Sequence, residues 1–341
     1  MRNTFPILAL KTFFISFFIL SCEKNNDTST ENIMYEETVA VANRNSSSIS
    51  FFDANTNSII STLKIPNSEP MYVVFVPTKD KLYVGDRKNK QVHIINPSTK
   101  KIENSISVGN GVFHMWADEL GKRLWVNNDI DNTISVIDLS SNSIIKTINV
   151  DMKPHDVFLT KDGTKAYISV INSNQSVPDK VYLYSTNNYE KLKEVNVGKD
   201  PHLFHLSNYN KLIVPCQSGE VYNIDGEKLE IISQKLYPGA HGLYPSPNLE
   251  TIFITNITGG QIYSLKTNDL TQNESPISSS KPIPHNIVLN KEGTKIFATH
   301  SGPNNTSVSV YKISQNKLIH EQDITVENNP FGLTYYKRNK Q

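Results

Sequence analysis

Four histidines of this chain occupy equivalent places in one repeated phrase. His155, His202 and His285 each follow a proline in the segments PHDVFLT, PHLFHLS and PHNIVLN, and His241 follows an alanine in AHGLYPS. Neutral imidazole nitrogens bind late first-row transition metals such as copper and zinc, and imidazole titrates near neutral pH. Where a fold brings such residues together, they predict a site for a metal ion or for a small acidic ligand.

The phrase around these histidines recurs seven times, at a spacing of about 40–45 residues. Each complete copy holds a first strand, a polar turn and further short segments in which apolar and polar residues alternate, as in ISVID at 134–138. Four short strands per unit at this period predict a β-propeller, whose innermost strands line a central channel. The second residue of each copy defines seven ring positions at the start of the innermost strands: Met71, Phe113, His155, His202, His241, His285 and Phe331.

The two ends of the chain complement each other. The last copy supplies only one strand, 331–336, whereas the first segment, TVAVAN at 38–43, matches the second strand of the other copies. The C-terminal strand should therefore complete the N-terminal blade and remove the exposed sheet edges. We predict an all-β, seven-bladed propeller formed as one domain by residues 35–338.

The second strand of each unit runs antiparallel to the first, so its last residue should lie beside a ring position. This places seven residues at the same mouth of the channel: Asn43, Asp86, Asn128, Val170, Cys216, Asn256 and His300. His114 follows ring position 113, and His205 lies three residues beyond His202. Strand alternation predicts that both face the opposite side of the strand from their ring neighbours.

The candidate metal ligands are the histidines and the cysteine of this mouth: His155, His202, His241, His285, His300 and Cys216. Because packed sheets lie about 10 Å apart, one ion should not reach all four ring histidines, and His241, His285 and His300 are the preferred subset. Copper or zinc suits such ligands. The expected polar contacts for a ligand at the mouth are His114, Asp86, Asn128 and Asn256. The alternative is a structural role, in which the histidines bond carbonyls and were copied by duplication.

Catalytic motifs are sparse. His155 with Asp156, or His285 with Asp86, would supply an acid/base pair for a lactonase-like hydrolase. The sequence has no phosphate-binding glycine loop, no G-x-S-x-G motif and no C-x-x-C-H haem attachment site. The sequence therefore favours a binding protein over an enzyme, and a metal protein and a hydrolase remain the alternatives.

The N-terminus predicts export and anchoring. The apolar run at 12–20 follows Arg2 and Lys11 and is too short to span a bilayer. Its last two residues and the Ser21-Cys22 that follow form ILSC at 19–22, which resembles the lipobox of bacterial lipoproteins. We expect a signal peptide at 1–21, lipidation of Cys22 and a flexible polar tether at 22–34. The predicted location is the bacterial cell envelope, at the periplasmic or surface face of the outer membrane. A secretory signal with a coincidental cysteine is the alternative.

Charge limits the partners. The chain carries 34 basic and 33 acidic residues, and this balance argues against nucleic acid, which usually requires a basic face. The expected partners are a membrane, through Cys22, and a small ligand, a glycan or a protein at the propeller mouth. We expect a monomer.

Three segments carry a resemblance to a known family. LWVNN at 124–128, TISVID at 133–138 and KDGT at 161–164 are similar to the strands and turn of the YVTN repeat. On these residues the chain resembles the YVTN family of β-propellers, which includes the YncE-like proteins, over 35–338. The resemblance implies the propeller fold but no single activity, because propellers host binding, structural and enzymatic members.

Overall fold

The structure is a computed structural model that describes Met1, residues 34–314 and residues 317–340. Met34–Gln341 is a compact unit separate from Met1–Ile33, and it contains all of the strands described below. Cys22 and all of the predicted signal peptide and tether except Met1 and Met34 lie outside the described residues. Among the residues that are described, none belongs to a helix long and apolar enough to cross a bilayer.

Seven four-stranded antiparallel sheets surround a common axis as the blades of a propeller, which confirms the predicted fold. Blade 1 combines both ends of the chain: β1 (Tyr35–Asn43), β2 (Ser48–Asp53), β3 (Ile59–Lys64) and β28 (Pro330–Asn339). Blades 2 and 3 comprise β4 (Pro70–Val76), β5 (Lys81–Asp86), β6 (Gln91–Asn96), β7 (Lys101–Ser107), then β8 (Val112–Ala117), β9 (Arg123–Asn128), β10 (Thr133–Asp138) and β11 (Ser143–Asn149).

The remaining blades follow the same order from the channel outward. Blades 4 and 5 comprise β12 (Lys153–Leu159), β13 (Lys165–Ile171), β14 (Asp179–Ser185), β15 (Lys191–Val197), then β16 (Phe204–Leu206), β17 (Lys211–Pro215), β18 (Glu220–Asp225) and β19 (Ile231–Leu236). Blades 6 and 7 comprise β20 (Ala240–Pro245), β21 (Thr251–Asn256), β22 (Gln261–Lys266), β23 (Ile277–Ser278), then β24 (Pro284–Leu289), β25 (Lys295–His300), β26 (Ser307–Ser314) and β27 (Lys317–Thr325). Short 3-10 helices occupy Arg44–Ser46 and Pro77–Lys79.

The ring closes as the sequence predicts. Strand β28 pairs with β1 from Tyr35 opposite Asn339 to Asn43 opposite Pro330, so the last strand is the innermost strand of blade 1. The Arg338 guanidinium adds hydrogen bonds of 2.7 Å to both carboxylate oxygens of Asp80 in blade 2. The C-terminal strand therefore holds blade 1 together and ties it to its neighbour.

The core lies between the blades. One cluster of buried apolar side chains fills each of the seven interfaces, as Trp125 of blade 3 and Tyr182 of blade 4 illustrate. The second strands are buried along almost their whole length because they have a neighbouring blade on each face, whereas the outermost strands are mostly exposed. Burial of apolar area between the blades is thus the main stabilising interaction of the ring.

A β-bulge interrupts the innermost strand of most blades. The register between the innermost and the second strand shifts just after the ring position in blades 1, 2, 3, 4, 6 and 7. A bulge places two residues opposite one, so the strict alternation of side chains fails there. In blade 5 the corresponding pairs, Pro201 with Cys216 and Phe204 with Ile213, show no such shift.

Candidate functional site

The seven ring positions lie at one mouth of the channel, beside the ends of the second strands. The residue before or at the start of each innermost strand pairs with the residue that ends the second strand, as Pro284 does with His300 and Ala240 with Asn256. The same pairing joins Pro70 to Asp86 and Val112 to Asn128. The predicted common mouth is therefore present.

The four ring histidines touch one another. Their ring centroids are 5.0 Å apart for His155 and His202, 3.8 Å for His202 and His241, and 4.6 Å for His241 and His285. The four histidines thus form a row. Phe113 and Phe331 flank this row, with ring centroids 4.7 Å from His155 and 4.2 Å from His285, respectively. The expected separation near 10 Å was wrong, because that value applies to sheets packed face to face. Blades converge on the axis, so their innermost strands lie closer together.

Two features of the neighbouring strands set this close spacing. The Thr255 hydroxyl donates a 2.7 Å hydrogen bond to the main-chain carbonyl of His285 in the next blade. Gly242, directly after His241, faces the same carbonyl, and a Cβ at this position would lie only 2.2 Å from the carbonyl oxygen. Glycine is required at 242 because the two innermost strands approach too closely for any side chain.

Asp200 joins two of the ring histidines to form a possible metal site. Its Oδ1 lies 2.9 Å from Nε2 of His155, and its main-chain N–H donates to Asp179, which anchors the loop before β16. His155, Asp200 and His202 offer ligand atoms that all lie within 4.8 Å of one another. Within the described part of the chain, this is the one group of three or more such residues with metal-site spacing.

Three imidazole nitrogens of the row are buried without a hydrogen-bond partner. Nε2 of His155 is one of them, and its 2.9 Å contact with Asp200 is an ion pair without hydrogen-bond geometry. Nε2 of His202 and Nδ1 of His241, on side chains that are 3% and 4% exposed, have no polar partner at all. A buried polar atom without a partner costs free energy, and native proteins rarely leave one unless a ligand, an ion or water satisfies it. In contrast, Nδ1 of His285 lies 2.8 Å from the amide nitrogen of Asn286.

The row contains one basic and three weakly basic imidazoles. Burial would lower the pKa of His155, but the attraction of the adjacent Asp200 carboxylate outweighs that effect and raises it. Burial, with repulsion from His155, lowers the pKa of His202 to about 4. Burial and the neighbouring histidines hold the pKa values of His241 and His285 well below the usual range. At neutral pH, His202, His241 and His285 are therefore neutral, and each ring has one unprotonated nitrogen.

His114 faces the channel, which corrects the prediction from strand alternation. Its Nδ1 lies 2.5 Å from Oδ1 of Asp156, and both side chains line a cavity of about 70 Å³ next to the row, together with Tyr72 and Asn286. The bulge explains the error, because it turns the residue after the ring position toward the channel as well. His205, in the blade without a bulge, stacks instead on Tyr167 of blade 4 at 5.3 Å.

The preferred subset of His241, His285 and His300 does not come together. Nδ1 of His300 lies 3.2 Å from the Pro282 carbonyl oxygen, and its Nε2 lies 2.6 Å from the Ser309 hydroxyl. Both nitrogens thus bond within blade 7. Cys216 is buried in the apolar cluster between blades 4 and 5, and burial raises the pKa of its thiol well above the ordinary value. In the structure, His300 therefore makes hydrogen bonds within its own blade, and Cys216 packs in the core.

The predicted polar contacts Asp86, Asn128 and Asn256 bond to the third strand of their own blades. Asp86 lies 3.1 Å from Nε2 of His93. Asn128 donates to the Ser135 hydroxyl and Asn256 to the Tyr263 hydroxyl, both at 2.9 Å. These bonds fix the turns between second and third strands, and the role of these side chains as ligand contacts stays a prediction.

The acid/base pairs suggested for a hydrolase are not formed. Asp156 pairs with His114 rather than His155, and Asp86 pairs with His93 rather than His285. Sequence reasoning missed Asp200 as a partner of the histidines. Its position directly before Pro201-His202 was the available signal.

Comparisons with known proteins support the fold alone. No protein-family model matches the chain, and no curated protein matches it. Among solved structures, the chain is similar to a chain of the Kuenenia stuttgartiensis hydrazine synthase, with a TM-score of 0.61 and 14% identity. The match covers 77% of this chain and 88% of that one. At this identity the likeness shows that both chains share the β-propeller fold.

Proposed function

We propose that this chain is a membrane-anchored binding propeller of the bacterial cell envelope, of the YVTN type, whose channel mouth binds one zinc or copper ion. The observation that carries the proposal is the group of His155, Asp200 and His202, with ligand atoms within 4.8 Å of one another. Ligand atoms around a tetrahedral zinc ion are separated by about 3.3 Å. Small side-chain rotations would therefore bring these atoms onto one ion.

His241 is the natural fourth ligand. Its Nδ1 has no partner, and its ring lies 3.8 Å from that of His202. An ion bound between the two rings would satisfy both of the unpartnered buried nitrogens. The neutral state of His202 and His241 at pH 7 supports this arrangement, because only an unprotonated imidazole nitrogen binds a metal.

The ligand set favours zinc or copper over magnesium and calcium. Three imidazole nitrogens and one carboxylate are typical ligands of zinc and of Cu(II), whereas magnesium and calcium prefer oxygen ligands alone. The Cys216 thiol is packed into the core, so the site we propose contains no sulfur.

The metal proposal is tested by the metal content of the propeller segment 34–340. The protein is purified without a histidine tag, stripped with a chelator, dialysed against zinc or copper and assayed by mass spectrometry. We expect about one ion per chain in the wild type, and loss of that ion in His202→Asn. His300→Asn is the matched control and should retain the ion. Absence of metal from the wild type would contradict the proposal and leave a small acidic ligand as the alternative occupant.

The anchoring part of the proposal rests on the ILSC segment at 19–22. Radiolabelled palmitate should enter the full-length chain in bacterial cells, and the protein should sediment with the membrane fraction. Cys22→Ala should abolish both the label and the sedimentation. Membrane association that persists in this variant without label would show that another feature anchors the chain.

A further inference from the structure

Asp179 is a fully buried carboxylate next to the segment that carries Asp200. It is the first residue of β14 in blade 4, and its side chain is 0% exposed. Its two oxygens accept hydrogen bonds from two different segments. The main-chain N–H of Asn172 donates to Oδ1 and that of Asp200 donates to Oδ2, each at 2.8 Å. One carboxylate thus connects a loop of blade 4 to a proposed metal ligand.

Lys199 strengthens this connection. Its ammonium group bonds to Oδ1 of Asp179, and it also lies 3.2 Å from the main-chain carbonyl oxygens of Asn172 and Val177. Hydrogen bonds between charged groups are shorter and stronger than those between neutral groups. We therefore expect the loop 172–178 and residues 199–200 to behave as one unit.

The conformation of Asp200 requires support from its surroundings. Its φ is +55°, in the left-handed region that residues with a side chain adopt only at a cost. Oδ1 of Asp200 is buried and has no hydrogen-bond partner among the described residues, and its close contact is the ion pair with His155. Because its own side chain is weakly held, the direction of this carboxylate depends on the main chain, and Asp179 holds the main-chain N–H.

We propose that Asp179 is the positioning residue of the metal site. It fixes the main chain of Asp200 so that this carboxylate binds the ion together with His155 and His202, while Asp179 itself does not touch the ion. This role rests on the metal site proposed above. Residues that orient metal ligands from outside the ligand set typically change metal affinity by about 10–100-fold.

The first test is the zinc affinity of segment 34–340 in the wild type and in Asp179→Asn, measured by competition with a chelating dye. Asparagine has nearly the same shape but only one acceptor oxygen. It therefore cannot accept hydrogen bonds on both sides, from Asp200 and from Asn172 with Lys199. We expect the dissociation constant for zinc to rise by about 10–100-fold.

Asp118→Asn is the matched control. Asp118 is also buried, at 5% exposure, and it accepts hydrogen bonds from the main-chain N–H groups of Lys122 and Arg123. It follows β8 at the end opposite the histidine mouth. This variant should lose a buried carboxylate and its bonds but keep the wild-type affinity for zinc.

Cu(II) provides a readout that a general loss of stability would not change. Asp200→Asn removes the proposed carboxylate ligand, so the electron paramagnetic resonance spectrum of Cu(II) bound to this variant defines the site without that ligand. The spectrum of Asp179→Asn should shift toward that of Asp200→Asn. The spectrum of Asp118→Asn should remain that of the wild type.

Hydrogen exchange in the wild type decides the question if Asp179→Asn does not fold. The amides of Asn172 and Asp200 both donate to Asp179. Zinc held by Asp200 should therefore slow exchange of both amides, including that of Asn172 in the loop. Exchange of the Lys122 amide, which donates to Asp118, should not change.

Four results would overturn the proposal. Equal zinc affinity in Asp179→Asn and the wild type would show that Asp200 does not depend on Asp179. An equal loss of affinity in Asp118→Asn, or a wild-type Cu(II) spectrum in Asp179→Asn, would mean that only general stability was lost. Unchanged exchange at Asn172 on addition of zinc would separate the loop from the ligand. A wild type that binds no metal would instead refute the metal site itself, and the role of Asp179 with it.

Discussion

Zinc should stabilise the propeller through His202 but not through His300. The two histidines are both buried and both lie near the same mouth. Nε2 of His202 has no partner and belongs to the group with metal-site spacing. Both nitrogens of His300 are occupied by Pro282 and Ser309. Substitution of each by asparagine therefore separates metal binding from the general effect of losing a buried histidine.

The size of the effect follows from ligand linkage. A ligand at 100 times its dissociation constant stabilises the folded state by about 2.7 kcal/mol. A domain of about 300 residues has an unfolding entropy of about 0.6 kcal/mol per kelvin, so Tm should rise by about 4 °C. If His202→Asn weakens zinc binding 100-fold, the same zinc concentration stabilises that variant by about 0.4 kcal/mol. The rise in its Tm is then below about 1 °C.

The assay is differential scanning calorimetry of segment 34–340 with and without zinc, for the wild type and both variants. We expect a rise of about 4 °C in the wild type and in His300→Asn, and almost none in His202→Asn. A rise of equal size in all three proteins would place zinc elsewhere. Loss of the rise in His300→Asn alone would restore the ligand subset expected from the sequence.

Three further predictions concern stability. Gly242→Ala should lower the free energy of unfolding in urea by about 3 kcal/mol, because its Cβ would meet the His285 carbonyl oxygen at 2.2 Å. Gly260→Ala is the control: a Cβ there would have no atom within 4 Å, but the residue has a φ of +63°, so this variant should lose only about 1 kcal/mol. Burial lowers the pKa of His300 from 6.5 to about 4. As the pH falls from 6.5 to 4, this histidine takes up a proton in the unfolded chain but not in the folded one, so the free energy of unfolding should fall by up to about 3 kcal/mol. Urea titrations at pH 7 and 4.5 should show that the free energy of unfolding declines less in His300→Asn than in the wild type. An equal decline in both proteins would refute this. A chain ending at Asn329 lacks β28 and should show no cooperative thermal unfolding by circular dichroism; a normal transition would mean that blade 1 does not need its innermost strand.

Much of the architecture was predictable from the sequence because it depends on local patterns. The repeat period and the alternation of apolar and polar residues within each strand predict four-stranded blades. The incomplete first and last copies predict closure of the ring, and β28 does pair with β1. The pairing of ring positions with the ends of the second strands follows from antiparallel register alone.

The composition of the site depends on tertiary structure. The sequence placed four histidines at equivalent positions, but it could not give their separation, because that depends on how far the blades converge at the axis. The bulge that turns His114 toward Asp156 leaves no clear sequence signal, and an alternating strand predicts the opposite face. Asp200 directly precedes the repeated phrase at Pro201-His202, but its contact with His155 of the neighbouring blade depends on the loop conformation.

The sequence by itself therefore determined the number of blades, their order, the closure of the ring and the common mouth of its histidines. Only the tertiary structure decided which side chains share the channel. Asp200 and Asp156 lie beside histidines of neighbouring blades, whereas His300 bonds within its own blade and Cys216 packs in the core. The physical reason is that strand periodicity is a property of successive residues. Contacts between blades depend instead on sub-ångström packing, bulges and loop conformations, which only the assembled ring defines.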